Sequence, residues 1–422
     1  MKKPEILAPA GDLEKLKFAF AYGADAVYAG GSSFGLRAHA GNFGEDQLRI
    51  GTEYAHKLNR KIYITVNIFA HEQDFTALKS YLKELTEIGV DGIIVSDPGV
   101  LAVARQEAPN LTVHLSTQAN CTNSSSANFW FSQGVKRIVM ARELTLEELA
   151  SIRPRTEGEM EIFIHGAMCM SYSGRCLLSN YLTGRDANRG ECTHPCRWGY
   201  ALVEEKRPGE YFPIEEDNRG SYIFNSHDLC LLPYLPQLKE LNLNSYKIEG
   251  RMKSAYYVAN TVKVYREAID VLWDQGETEF QQRIAAWLKE MDKASHRDYS
   301  SGFLFGKPGA ESHNIETSNY IREYNFVGRS LALEELKDIG KEKTDYGNEL
   351  GYWIEQRNIF YLGDELEVLS PHGEPWTFQV AAMWDEEGAK VEVARHAQQK
   401  LKIATPKRLE PYSILRKNKK TK

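Results

Sequence analysis

No apolar run approaches the ~20 residues that span a bilayer, which argues against a membrane protein. The first residues, Met1-Lys2-Lys3-Pro4-Glu5, lead into a short apolar run without a signal-peptide h-region, so a cytoplasmic protein is expected. His-Glu-x-x-His is missing, and with it the zinc-protease signature. A Walker A loop is also missing: Gly302–Lys307 has the wrong spacing, and Pro308 follows the lysine. Gly31-Ser32-Ser33-Phe34-Gly35 matches G-x-S-x-G after a candidate strand, but no clear helical pattern follows directly to complete a nucleophile elbow. Cysteine is scarce, six in 422 residues, and not spread like a secreted disulfide framework.

What is present describes a globular chain. Hydrophobic residues make up 42% and charged residues 26%, enough for a packed core and too apolar for wholesale disorder. The length suits one barrel-sized domain and a smaller one. Through the first 165 residues, short β-rich runs alternate with amphipathic stretches. The runs are Glu5–Ala8, Ala24–Ala29, Lys61–Val66, Gly92–Val95, Leu111–Leu115, Arg137–Met140 and Glu161–Ile164. Asp12 and Thr145 stand where N-caps belong, the latter with Glu148 in capping-box order.

Seven βα units need one more strand, and Ser245–Glu249 is the best candidate. An α/β fold is expected: a (β/α)8-type barrel over residues 1–250 with a cysteine-rich insertion at about 166–243. An open doubly wound sheet is the alternative. A helical extension is expected over 251–324, and a small C-terminal β-barrel over 325–422, from short strands punctuated by Gly363-Asp364 and Pro371-His372-Gly373. The net charge is −6, yet residues 401–422 hold eight Lys or Arg against Glu410 alone. Such a tail reads either as an electrostatic handle for phosphates or as a solvated, frayed terminus.

Four cysteines, Cys169, Cys176, Cys192 and Cys196, form C-x6-C-x15-C-x3-C. Four thiolates on two loops could enclose an iron–sulfur cluster or a zinc ion. The six-residue gap is wide for zinc. Buried structural cysteines and a redox disulfide pair are the other readings. Cys121 and Cys230 stand apart as small core residues. The cysteine segment starts where the seventh strand ends, on the face where barrel enzymes keep their chemistry. Other polar residues stand at the same strand ends: Asn67, Gln118, Arg142 with Glu143, His165, and Lys247, Glu249 and Arg251 around the eighth strand. His165, Lys247 and Glu249 are the catalytic candidates. Arg37, Arg142, Arg175, Arg251, Asn67 and Gln118 are the substrate-binding candidates. Tyr28, Tyr172 and Trp198 are candidate stacking platforms for a splayed base.

Glu5-Ile6-Leu7-Ala8-Pro9-Ala10-Gly11, Gly23-Ala24-Asp25-Ala26-Val27-Tyr28, the 163–179 segment, Lys247-Ile248-Glu249-Gly250-Arg251 and Ser301-Gly302-Phe303 together resemble the collagenase-like peptidase family. The resemblance covers nearly the whole chain and points to the family's tRNA-hydroxylating branch. It implies oxygen-independent hydroxylation of carbon 5 of the wobble uridine, with prephenate as hydroxyl donor. It also implies a [4Fe-4S] cluster on Cys169, Cys176, Cys192 and Cys196, with Cys230 in reserve. The implied partners are the tRNA anticodon loop and prephenate. No membrane is expected, and a homo- or hetero-oligomer with a paralogue is a further expectation. A collagenase-like peptidase, or a hydroxylase of another RNA base or small molecule, is the alternative. No residues here supply a convincing protease site.

Overall fold

Apolar β-branched runs bounded by polar turns set the strands of the first domain. They are β1 (Glu5–Ala10), β2 (Ala26–Gly30), β3 (Lys61–Val66), β4 (Gly92–Val95), β5 (Val113–Leu115), β6 (Arg137–Val139), β7 (Glu159–Ala167) and β8 (Ser245–Ile248). In the computed structural model each pairs parallel with the next, and β8 pairs with both β7 and β1. That closes an eight-stranded parallel barrel. The structure describes residues 1–35, 42–168, 171, 176–185, 187, 191–195, 201–202, 212–213, 227–306, 321–338, 340 and 351–419.

Among the described residues the strands alternate with helices. These are α1 (Leu13–Ala21), α2 (Glu45–Lys57), α3 (Phe75–Ile88), α4 (Pro98–Glu107), α5 (Ser124–Ser132) and α6 (Leu146–Ile152). Asp12 caps α1 by accepting Lys15 N–H, and Thr145 and Glu148 form the capping box of α6. Ile62 and Ile64 of β3 face the helices, while Tyr63 joins Leu7, Ala26, Tyr28 and Ile94 inside the barrel. The twofold alternation of a strand thus builds two cores from one segment.

After β7 the chain returns through a short strand, Asp228–Cys230, antiparallel to the end of β7. The helix Ala255–Asp274 follows β8 and packs on α1 and β1, the place of the eighth barrel helix. It lies within the segment expected to be an extension. The helix Glu277–Met291 packs on it in turn. No described helix is long and apolar enough to cross a membrane.

Among the described residues, the C-terminal part is a curled antiparallel sheet of seven strands. Glu365–Leu369 and Trp376–Gln379 lie where short strands are expected. Tyr324–Ser330, Tyr352–Gln356, Lys400–Ile403 and Ile414–Asn418 add to them. The frayed-terminus reading of the tail is corrected, since Ile414–Asn418 pairs on both sides within this sheet. Arg416 is fully buried there, ion-paired to Glu290 and Glu367. Lys417 pairs with Asp364 at 2.7 Å. The electrostatic handle shrinks to match: among the described tail cations, Lys407, Arg408 and Lys419 are the exposed ones.

Candidate functional site

The barrel interior holds two polar layers. At the N-terminal end of the strands, Arg137 reaches Glu5, Glu159 at 2.7 Å and Glu161 at 3.2 Å. Lys247 Nζ lies 3.2 Å from the other oxygen of Glu161, whose side chain is completely buried. Burial alone would raise the Glu161 carboxyl; Lys247 and Arg137 overcome it and hold the group below its usual value. Lys247 Nζ also sits 4.4 Å from the centre of the Tyr28 ring. The lysine expected to be catalytic is therefore built into an internal charge network.

Tyr28 carries this network towards the C-terminal mouth. Its hydroxyl lies 3.1 Å from Glu249 Oε2 and from Ile248 O. The register between β7 and β8 shifts opposite Lys247/Ile248, where Ile164 is an extra residue in β7, a bulge that re-aims the β7 residues after it. Gly166, at φ +108°, lets β7 pass close by: a Cβ there would come within 2.5 Å of Glu249 O. Arg251 is buried and donates to Thr65 Oγ1 at 3.2 Å and Asn42 Oδ1 at 3.1 Å. Gly30 leaves it room, because a Cβ there would meet Arg251 Nη1 at 2.5 Å.

Across the mouth, Asn67 Nδ2 donates to Gln118 Oε1, and Ser116 Oγ lies 3.1 Å from the same oxygen. Ser96 Oγ holds Asn67 O at 3.1 Å. Arg142 donates to Ala167 O at 2.9 Å and stacks over Phe163, bracing the end of β7. Beside it, burial pushes the Glu143 carboxyl up against the pull of Arg142. Asp97 serves as the cap of α4, accepting Val100 N–H.

His165 lies elsewhere. It packs outside the barrel wall among Tyr257, Tyr265 and Tyr299. Burial, then the charges of Lys253 and His296, pushes its imidazole down to about 3. The structure thus brings Glu249, Arg251, Asn67 and Gln118 to the mouth, sets Lys247 beneath it and His165 behind its wall. Arg37, Arg175, Tyr172 and Trp198 lie outside the described residues. Thr65 and Asn42, which hold Arg251, were not among the candidates. Thr65 was detectable, since it stands two residues before Asn67 on the same strand face.

Cys169 and Cys196 also lie outside the described residues, and no three described metal-type ligands converge. Cys176 and Cys192 are half-exposed. Burial pushes the Cys121 and Cys230 thiols up to about 11. Cys230 pairs across from His165, and its Sγ lies 3.8 Å from the Tyr265 hydroxyl. Four cysteine thiolates are a donor set of the kind an iron–sulfur cluster takes. Ser32 and Ser33 of the G-x-S-x-G match are exposed, and the next described helix starts only at Glu45.

Two family descriptions match the chain: Peptidase family U32 over residues 11–314, and Peptidase family U32 C-terminal domain over 322–416. The chain is 41% identical to tRNA hydroxylation protein P1 of Bacillus subtilis, covering 99% of this chain and 96% of that one. It is 36% identical to tRNA hydroxylation protein P of Escherichia coli, covering 99% and 97%. A 23S rRNA 5-hydroxycytidine C2501 synthase of Escherichia coli is 33% identical over 72% of this chain and 46% of its own length.

Proposed function

The chain belongs to peptidase family U32, and from that premise we propose that it is a tRNA-hydroxylating enzyme. The observation that carries the reading is the pair of relatives named tRNA hydroxylation proteins, each matched along 99% of this chain. The target is carbon 5 of the wobble uridine, hydroxylated without molecular oxygen and with prephenate as hydroxyl donor. An anticodon loop is single-stranded, so its base can be splayed into a pocket.

Cys169, Cys176, Cys192 and Cys196 would hold a [4Fe-4S] cluster, which supplies electron-transfer or Lewis-acid chemistry when bound. Prephenate is a dicarboxylate and suits guanidinium forks. Arg251, fixed by Thr65 and Asn42, is the best-placed fork among the described residues, with Arg37, Arg142 and Arg175 as further candidates. Replacing C5–H by C5–OH removes two electrons and a proton from the base; the hydroxyl donor must take up the electron pair as it gives its oxygen, and the proton needs a base. Glu249, steadied by Tyr28, is the carboxylate at the mouth to receive it. Lys247 supports that carboxylate from beneath Tyr28, and His165 maintains the wall behind it.

A strain lacking this protein and any paralogue, complemented and examined by tRNA nucleoside mass spectrometry, tests the reading. Complementation should restore 5-hydroxyuridine derivatives, and failure to do so would sink it. Anaerobically purified protein should be brown and hold about four irons. Stoichiometric zinc without colour would refute the cluster.

A further inference from the structure

Resting on the tRNA-hydroxylase reading, we propose that Gln118 selects the target base, donating from Nε2 to the C4 carbonyl oxygen of a uracil-type pyrimidine seated in the barrel mouth. Gln118 follows β5 in the turn Thr117–Ala119 and is 4% exposed. Its Oε1 takes the Asn67 Nδ2 donor and lies within 3.1 Å of Ser116 Oγ. That hydroxyl already accepts the Gln118 backbone N–H at 3.4 Å, so its own proton is directed to Oε1. Ser96 pins the Asn67 backbone from behind. Two donors thus hold the amide oxygen and turn the NH2 group the other way.

Among the described residues, Gln118 Nε2 is buried with no acceptor. A buried donor left unmatched is costly, so such a group marks a place that a ligand completes. The charge of the neighbouring groups selects the ligand atom. Arg251 stands on Thr65, two residues before Asn67 on β3, and its cationic fork suits a carboxylate. The neutral amide suits a neutral carbonyl. Uracil presents an acceptor oxygen at C4, where cytosine presents an amino donor. A fixed N–H therefore accepts the first base and opposes the second, and sites built to hydrogen-bond their substrate discriminate strongly in this way.

The test uses full-length protein and anticodon stem-loop RNAs carrying uridine or cytidine at the target position. Gln118→Glu keeps an acceptor for Asn67 and Ser116 but removes the donor; Gln118→Ala removes both. Both variants should lower kcat/KM on the uridine RNA by roughly tenfold to a hundredfold. The uridine-over-cytidine ratio should narrow by a similar factor, with the KM for prephenate unchanged. Gln118→Met replaces any variant that fails to fold. Wild-type kcat/KM in Gln118→Glu, or an unchanged base ratio in both variants, would overturn the proposal. So would an effect confined to the KM for prephenate. If the wild-type protein hydroxylates no tRNA, the enzyme reading fails first. Gel shifts with the two RNAs then decide the role of Gln118, and equal discrimination by wild type and Gln118→Ala would exclude it.

Discussion

The two ends of the barrel interior are both polar, but they are satisfied in different ways. At the N-terminal end, Arg137 pairs with the carboxylates of Glu5, Glu159 and Glu161, and Lys247 pairs with Glu161 from the other side. At the C-terminal end, amides and hydroxyls hold one another in fixed orientations around Arg251, and the amide nitrogen of Gln118 is left without an acceptor among the described residues. The first arrangement is a network of ion pairs inside the barrel. The second is ordered and incomplete, as a binding site must be before its ligand arrives. The contrast of an ionic end with an amide-and-hydroxyl end matches the general asymmetry of (β/α)8 barrels, with stability at one end and chemistry at the other.

Breaking the ionic end should give the largest effect. Arg137→Ala leaves Glu161 with half its counter-charge and Glu5 without its buried partner, and should cost about 3–5 kcal/mol of stability. Urea unfolding measures this. The fraction that remains folded should keep its specific activity, because Arg137 lies away from the mouth. A loss smaller than that of a surface substitution would mean the ionic layer is not the structural end.

At the open end the pattern should reverse. Glu249→Gln keeps the contact with Tyr28 and removes the proton acceptor, so hydroxylation should fall at least about a hundredfold. Its unfolding midpoint should stay close to that of wild type. A variant that loses stability like Arg137→Ala while keeping its rate would erase the difference between the two ends.

How far the sequence reaches can be judged on these same residues. The barrel was legible because β-branched runs and helical periods alternate, and the position of Ser245–Ile248 followed from the need for closure. The strand Ile414–Asn418 was not, because Arg416 and Lys417 look like tail charges until Glu290, Glu367 and Asp364 are seen to neutralise them. Asn67, Gln118, Glu249 and Arg251 were legible as strand-end polar residues. His165 follows the expected strand too, but the extra residue Ile164 in β7 turns it towards the helix Ala255–Asp274. The ionic layer was hidden because its members start or lie inside strands, where sequence patterns favour apolar residues.

The wall behind the mouth offers a smaller, pH-dependent effect. His165 is neutral in the fold, with its imidazole pushed from 6.5 down to about 3 by burial first and then by Lys253 and His296. In the unfolded chain it takes a proton below about 6.5, so protons favour unfolding. Its contribution to stability is therefore complete above pH 6.5 and is lost as pH falls towards 3. His165→Phe should remove a slope of about 1.4 kcal/mol per pH unit from the acid limb of stability. Thermal or urea unfolding between pH 6.5 and 4 measures it. An unchanged slope would mean the ring is already solvated or charged in the fold.

The smallest effect belongs to the exposed tail cations. Truncation before Asn325 is a poor probe of tRNA binding, because it would strand buried Lys263, which donates to Ser370 and Gly373 carbonyls, and Glu290, which pairs with Arg416. Lys407 and Arg408 are exposed, and Lys407 lies 5.6 Å from the Trp376 ring. Replacing both by Ala leaves these buried partners in place. If they touch tRNA phosphates, affinity should fall severalfold, and the slope of log K against log salt should flatten by roughly 0.7–0.9 for each phosphate no longer neutralised. Hydroxylation at saturating tRNA should be unchanged, because phosphate contacts position a substrate without taking part in its chemistry. Gel-shift titrations at two salt concentrations decide the matter. An unchanged slope would leave the mouth and the cysteine insertion to hold the RNA without help from this edge of the sheet.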